Sequence, residues 1–424
     1  MKSIYESMKA VLDPRSPRAK KHDLAAVLTY VIAGYLTGHI TLRRCIAWCK
    51  KHEAWLKKMG LPLAGGIASV ATISRLLSSI DELLFLCVFI DWISAIVKTR
   101  GVHLAVDGKA LRAAAEKCKG QRAPMMLHVL EVATGLVLAQ LPIPDKKNEI
   151  TSIPTLLSYL DIRDSTITAD ALNTQTSVME QIISQGGHFV MAVKKNQPVS
   201  YEEILSQFEA IMEAQKKSRL NSAYQFKLSE FTNQYDEVSY TEKNRDRYEY
   251  RTYRVINDAS FVSKTHEAWP FVQSVGYAEQ IRILIVRDKD GKDITPPKEK
   301  FQEEGSIRQP LPGKGDDIKD DIQVTMMISD TTMSASEMGG YKRSHWSVEN
   351  RLHHVLDDTF REDRSPAKAS KNNLALIRKF AFNILRLAQI QMNITVPFTE
   401  MMDLFCDDLS LLEQYIFREI RSLY

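Results

Sequence analysis

The chain has 424 residues, of which 44% are hydrophobic and 25% charged. That length and balance suit two or three domains with a substantial core, and argue against a disordered or fibrous chain. The five cysteines (Cys45, Cys49, Cys87, Cys118, Cys406) are sparse and odd in number, which argues against a secreted disulfide framework, and no second Cys/His pair completes a zinc site with Cys45 and Cys49.

The net charge of +4 is unevenly spread. Residues 1–60 hold 12 Lys/Arg against 4 Asp/Glu, and the remainder holds 44 against 48. A basic N-terminal unit suggests a polyanion partner, and a solvated face of a helical domain is the competing reading. The opening MKSIYESMKAVLDPRSPRAKKHD lacks the apolar core of a signal peptide. Leu24–Ile40 is the most membrane-like run, but its 17 residues include Thr, Tyr, Gly and His39, so a buried helix is expected rather than a span. A cytoplasmic protein is the expectation.

Residues 1–98 read as helical. Asp23 is placed to cap a helix through about Thr37, and Thr41 a second through about Lys58. SVATISRLLSSIDELLFLCVFIDWISAIV then carries apolar residues at helical spacing. From residue 102 the pattern changes. VHLAVD, MMLHVLEV and GLVLAQLPI read as strands, with Ala133–Gly135 as a turn between the last two. EITSIPTLLSYLD reads as a helix, STITAD as a strand, NTQTSVMEQIISQG as a helix and HFVMAVK as a strand. Three strands, helix, strand, helix, strand argues for an α/β sheet with packed helices. Residues 198–330 read as a largely β insertion, with a polar loop over 288–321. HWSVENRLHHVLDDTF and NNLALIRKFAFNILRLAQIQ return to helical periodicity.

Two aspartates stand at predicted strand ends, Asp107 and Asp170. Strands ending side by side in one sheet bring such carboxylates together to hold hard cations. A third ligand must come from elsewhere, and Glu349 is the best candidate. It shares a helical stripe with His345 and His353 at i, i+4, i+8, and its neighbours Trp346, Val348 and Leu352 predict partial burial. Three carboxylates are enough for two Mg²⁺ ions and in-line displacement at phosphorus. A transition-metal site on the His-Glu-His stripe is the competing reading, and it leaves the aspartates without a role.

These segments carry a resemblance. VDGKALR (106–112), KKNEITSIPTLLSYLDI (146–162), ITADALNTQ (167–175), FVMAVKKNQ (189–197), HWSVENRLHHVLDDTFREDRS (345–365) and NNLALIRKFAFNILR (372–386) together resemble DDE transposases of the H-repeat-associated insertion-sequence group. The N-terminal DPR (13–15) and ISRLLSSID (73–81) fit that group's N-terminal associated domain. The resemblance implies an α/β, ribonuclease-H-like mixed sheet with flanking helices, a largely β insertion and a helical N-terminal domain. In this chain that means a basic helical domain over 1–98, for DNA binding or support. A core follows from 99–197 and 331–395, with the β-rich insertion at 198–330 and a helical tail at 396–424. It places the metal-binding, catalytic triad on Asp107, Asp170 and Glu349, with two Mg²⁺ ions for which Mn²⁺ substitutes. It implies a transposase that binds terminal inverted repeats, hydrolyses phosphodiester bonds and transfers strands, working on double-stranded DNA as a homodimer or higher assembly in the bacterial nucleoid. A nuclease without strand transfer and an inactive DNA-binding protein are the alternatives.

Lys109, Lys194, Asn196, Gln197, Lys342, Arg343 and His345 are the candidate DNA contacts. Many related transposases carry Tyr and Arg upstream of the Glu and a Lys seven residues after it. Here Lys342, His345 and Leu356 stand at those positions. RDRYEYR (245–251) replaces a His-Gly-Arg-like segment.

Overall fold

A computed structural model describes residues 2–16, 18, 20–110, 125–143, 149–220, 226–295, 322–364 and 370–424. The polar stretch 296–321, Cys118, and the ends of the 106–112 and 146–162 motifs lie outside these residues. The chain divides into two compact units. The first comprises Met1–Ile167, Glu180–Gly187 and His345–Tyr424, and the second Thr168–Met179 and His188–Ser344.

The first unit begins with six helices: α1 (Ile4–Met8), α2 (Leu24–Leu36), α3 (Leu42–Lys51), α4 (Glu53–Lys58), α5 (Val70–Ser79) and α6 (Glu82–Ser94). Both expected caps are present. The Asp23 carboxylate accepts from the Ala26 amide at 2.7 Å, and the Thr41 hydroxyl from the Arg44 amide at 3.3 Å. α2 is apolar all round and is buried along its whole length, as such a helix must be. The long apolar run after residue 69 is two helices, because Ile80 is extended and Asp81 caps α6.

Three antiparallel strands follow: β1 (His103–Ala110), β2 (Met125–Glu131) and β3 (Leu136–Ile143), in the order β3-β2-β1 and then the start of β4 (Thr166–Ala169). The turn between β2 and β3 is fixed at both ends. Gly135 takes a φ of 72°, and the Glu131 carboxylate accepts from the Ala133 and Thr134 amides at 2.8 Å. β1 runs past Asp107 to Ala110, so Asp107 lies within a strand and not at its end. The helix α7 (Glu149–Leu157) precedes β4. A second helical group, residues 345–424, completes this unit. α11 (His354–Asp358) leads to α12 (Lys371–Met392), which is almost wholly buried. Phe380 of α12 packs against Phe85, Phe89 and Trp92 of α6, with ring centroids 4.8–5.9 Å apart. Asn383 bonds both backbone groups of Val137, at 2.9 and 2.8 Å, pinning α12 to β3. α13 (Phe398–Asp407) and α14 (Leu409–Leu412) close the chain.

The second unit holds the end of β4, then β5 (His188–Val193), the long α9 (Pro198–Leu220), β6 (Tyr235–Asn244), β7 (Arg247–Ile256), β8 (Ser274–Leu284), β9 (Ile322–Ser329) and α10 (Ala335–His345, through Ser344). α8 (Thr176–Ser184) starts in it. Its sheet is ordered β4-β5-β9-β8-β7-β6 and is antiparallel from β5 outward. The region read as a largely β insertion therefore opens with a 23-residue helix. α9 places Phe208 against Tyr277 on one face of the sheet, and α10 lies on the other, with Ala335 and Met338 against Val190, Tyr253, Ala278 and Met327. A side chain at Gly276 would strike Met338, and one at Gly339 would strike the Tyr253 ring, so both glycines permit close packing of α10.

Among the described residues, no helix is long and apolar enough to cross a membrane.

Candidate metal centre

β1 aligns Asp107 opposite His128 of β2, and Lys109 projects to the same face two residues on. The segment that covers this face carries Glu349. It is not the regular helix that the His345-Glu349-His353 spacing predicts. Residues Val348–His353 form a π turn, in which the His354 amide bonds the Glu349 carbonyl. Such turns hold one residue more than an α turn and recur at functional sites. The turn brings together Asp107, Glu349 and His353, with one ligand atom of each within 4.8 Å of the others. His353 Nδ1 stands 3.4 Å from Glu349 Oε2 and 3.6 Å from Asp107 Oδ2.

The three differ in exposure, and this decides their roles. His353 is 5% exposed, Asp107 19% and Glu349 60%. Glu349 is therefore open to solvent rather than partly buried, and Trp346 is exposed too. Behind His353 lies His128, fully buried, its Nδ1 3.3 Å from His353 Nε2. Burial, with Lys379, His353 and Lys109 nearby, pushes the His128 pKa far below the usual range, so this ring is neutral. In the tautomer that carries its proton on Nδ1, this ring donates to His353 Nε2, and the His353 Nδ1–H then meets the two carboxylates. Two carboxylates backed by an imidazole are oxygen donors of the kind a hard divalent cation takes, so the residues fit such an ion.

Lys109, expected on DNA, is instead 5% exposed and enclosed by acids. Its Nζ meets Asp357, Asp363 Oδ1 at 3.3 Å and Glu362 Oε2 at 3.4 Å. Lys379 of α12, fully buried, reaches the other oxygen of Glu362 at 2.6 Å. Burial works against the Glu362 charge, but Lys379, Lys109 and Arg378 outweigh it and hold its pKa at about 2. The sequence reading missed His128, Glu362 and Lys379. His128 and Lys379 carry one sequence signal, a polar residue on an otherwise apolar face in MMLHVLEV and LALIRKFAF, and Glu362 stands in the charged run REDR with no such signal. His345 does not join the cluster. It faces His103, whose pKa falls to about 4 through burial and the second imidazole.

The remaining candidates lie in the second unit. Asp170 follows β4 directly and opens a short turn, its carbonyl accepting from the Asn173 amide at 2.8 Å. Asn196 and Gln197 brace that turn. The Asn196 amide donates to the Ala171 carbonyl at 2.9 Å, and Gln197 to that of Thr174 at 3.0 Å. Lys194 is exposed at the end of β5. Arg343 pairs with Glu242 at 2.6 Å, and Arg251 reaches the same carboxylate at 2.6 Å. Burial, with Arg251, Lys194 and Arg282 around it, lowers the Lys342 pKa to about 8.

The chain matches two family models, "Transposase DDE domain" over residues 98–384 and "DDE_Tnp_1-associated" over residues 5–93. It belongs to the DDE transposase family. An Escherichia coli K12 H repeat-associated putative transposase, YhhI, is 27% identical over 399 residues, covering 91% of this chain and 90% of its own. Putative protein YbfL of the same organism is 28% identical over 393 residues, with the same coverage. A protein in the dhlA 3′ region of Xanthobacter autotrophicus is 36% identical over 196 residues, 45% of this chain and 65% of its own. The piggyBac transposase in a synaptic complex with hairpin DNA matches at 10% identity and a TM-score of 0.39, over 98% of this chain and 77% of that one. Its family makes the chain a DNA transposase, and its acidic and histidine cluster lies inside the matched domain.

Proposed function

We propose that this transposase binds the inverted repeats at the ends of an insertion sequence, cuts there, and joins the freed 3′ ends to target DNA. The observation that carries the reading is the convergence of Asp107 and Glu349 on His353, from residues 242 positions apart in the chain. Asp107, Glu349 and Asp170 are the proposed metal ligands. These residues would hold two Mg²⁺ ions, or Mn²⁺ in their place, which would supply activation of the attacking water or 3′ hydroxyl and charge neutralisation at the leaving oxygen. The protein's own part is orientation. His353 steadies the two carboxylates of β1 and the π turn, and His128 fixes the His353 tautomer. Asn196 and Gln197 steady the turn behind Asp170. Lys194, Lys342 and Arg343 supply cations for DNA phosphates, with His345 beside them in sequence. Handling two ends calls for a homodimer or larger assembly, in the bacterial cytoplasm.

The test uses purified full chain, labelled element ends and Mg²⁺. Wild type nicks the ends, EDTA abolishes nicking, and Glu349→Gln binds without cutting. Pre-cleaved ends then report strand transfer. Nicking that survives loss of all three carboxylates would refute the mechanism, and nicking without joining would reduce the protein to a nuclease.

A further inference from the structure

α3 and α4 bury Cys45, Ile46, Trp48, Cys49 and Leu56. Their outward residues are Arg43, Arg44, Ala47, Lys50, Lys51, Ala54, Lys57 and Lys58, all exposed. These recur at helical spacing, as three pairs of cations separated by single alanines. Among the described residues only Lys57 of the six has a carboxylate partner, Glu53 at 2.7 Å. The stripe is a cationic array with small side chains between its charges.

Helix stability does not account for it. Lysines in a last turn complement the helix dipole, but Arg43 and Arg44 sit in the first turn of α3, where positive charge opposes it and no acidic residue is present. The surroundings are electropositive as well. Burial and then the Arg44, His52 and Lys51 charges hold the His39 pKa below its usual value.

We infer that the α3–α4 stripe is a docking surface for the phosphate backbone of duplex DNA. This inference rests on the transposase reading and gives the N-terminal helices a task in it. Duplex DNA carries one negative charge per about 1.7 Å of axis, so α3 alone, about 15 Å long, faces a dense row of phosphates. Single strands are disfavoured, because their capture relies on exposed aromatic platforms. Here Trp48 is buried and stacks on His52 with centroids 4.4 Å apart, and the half-buried Trp55 packs 5.9 Å from Phe417, so neither ring is an open platform. A membrane surface is disfavoured too, since among the described residues of α3 and α4 no large apolar side chain is exposed.

The experiment measures binding of full-length protein to a mixed-sequence DNA duplex across a salt series, for wild type, Arg43→Gln/Arg44→Gln and Lys50→Gln/Lys51→Gln. The duplex should bind more weakly to both variants, and the slope of log K against log salt should flatten by about 1 for each cation removed. The melting temperature of the Arg43/Arg44 variant should hold or rise. Wild-type binding with unchanged affinity and slope in both variants would overturn the assignment and leave the transposase reading standing. No binding of wild type at any salt would remove both. Tighter capture by phosphatidylserine vesicles than by duplex would overturn the choice of partner.

Discussion

Changing Glu362 to Gln keeps the shape of the side chain and removes the charge on which Lys379 and Lys109 converge, at 2.6 and 3.4 Å. Lys379 is fully buried and, among the described residues, pairs with no other acid. Truncating one partner of such a pair costs about 3–5 kcal/mol, because the other charge stays buried and uncompensated. Proton linkage gives a similar figure. A Glu362 pKa held at about 2, against 4.5 ordinarily, corresponds to about 3 kcal/mol. Denaturant unfolding of the full chain should therefore show the variant's first transition at clearly lower denaturant. Adding Lys379→Met should recover at least about 1 kcal/mol, since the orphaned charge goes and Lys109 keeps Asp357 and Asp363. A Glu362→Gln variant within about 0.5 kcal/mol of wild type would refute the argument that this network holds β1 to the helices behind it.

The same carboxylate sets an acid limit. Its pKa is depressed by folding, so its contribution is complete above about pH 4.5 and drains away as pH falls towards 2, and a pH series of melts should show the Glu362→Gln penalty shrinking over that window. Asn383→Ala strips both partners from the Val137 backbone in a buried place and should cost roughly 2–4 kcal/mol by chemical denaturation. Gly339→Ala sets a methyl group against the Tyr253 ring and should cost about 1–3 kcal/mol, with Tyr253→Leu on top restoring part of it. Arg343→Gln breaks only an exposed pair with Glu242 and should move stability by less than about 1 kcal/mol while weakening duplex binding.

Much of this molecule could be read from local signals. Asp23 and Thr41 were legible as caps because a short polar side chain stands just before an apolar helix. β2 and β3 were legible because two apolar runs flank a glycine turn. Three features were not. α9 is amphipathic only weakly amid many polar residues, and β6 is exposed on both faces, so neither carries a clear hydrophobic period. Asp107 was read at a strand end because the apolar run VHLAVD stops there, whereas pairing with β2 carries the strand on to Ala110. The charge network behind the site joins Lys109 to Glu362 across 253 residues, and no local pattern announces such a partner.

The π turn under Glu349 has a consequence for insertions and deletions. Elsewhere on a helix, losing a residue breaks the ladder or shifts everything beyond it. Here the segment already contains one residue more than an α-helix needs. Deleting Asn350 would let the ladder close as an ordinary helix, stable and well formed, with the turns on either side kept in phase and Glu349 and His353 three residues apart on one face. The spare residue is therefore a phase adjustment. A one-residue deletion there should leave a folded protein in which only the spacing of Glu349 from His353 changes, whereas the same deletion in a regular turn would shift everything beyond it.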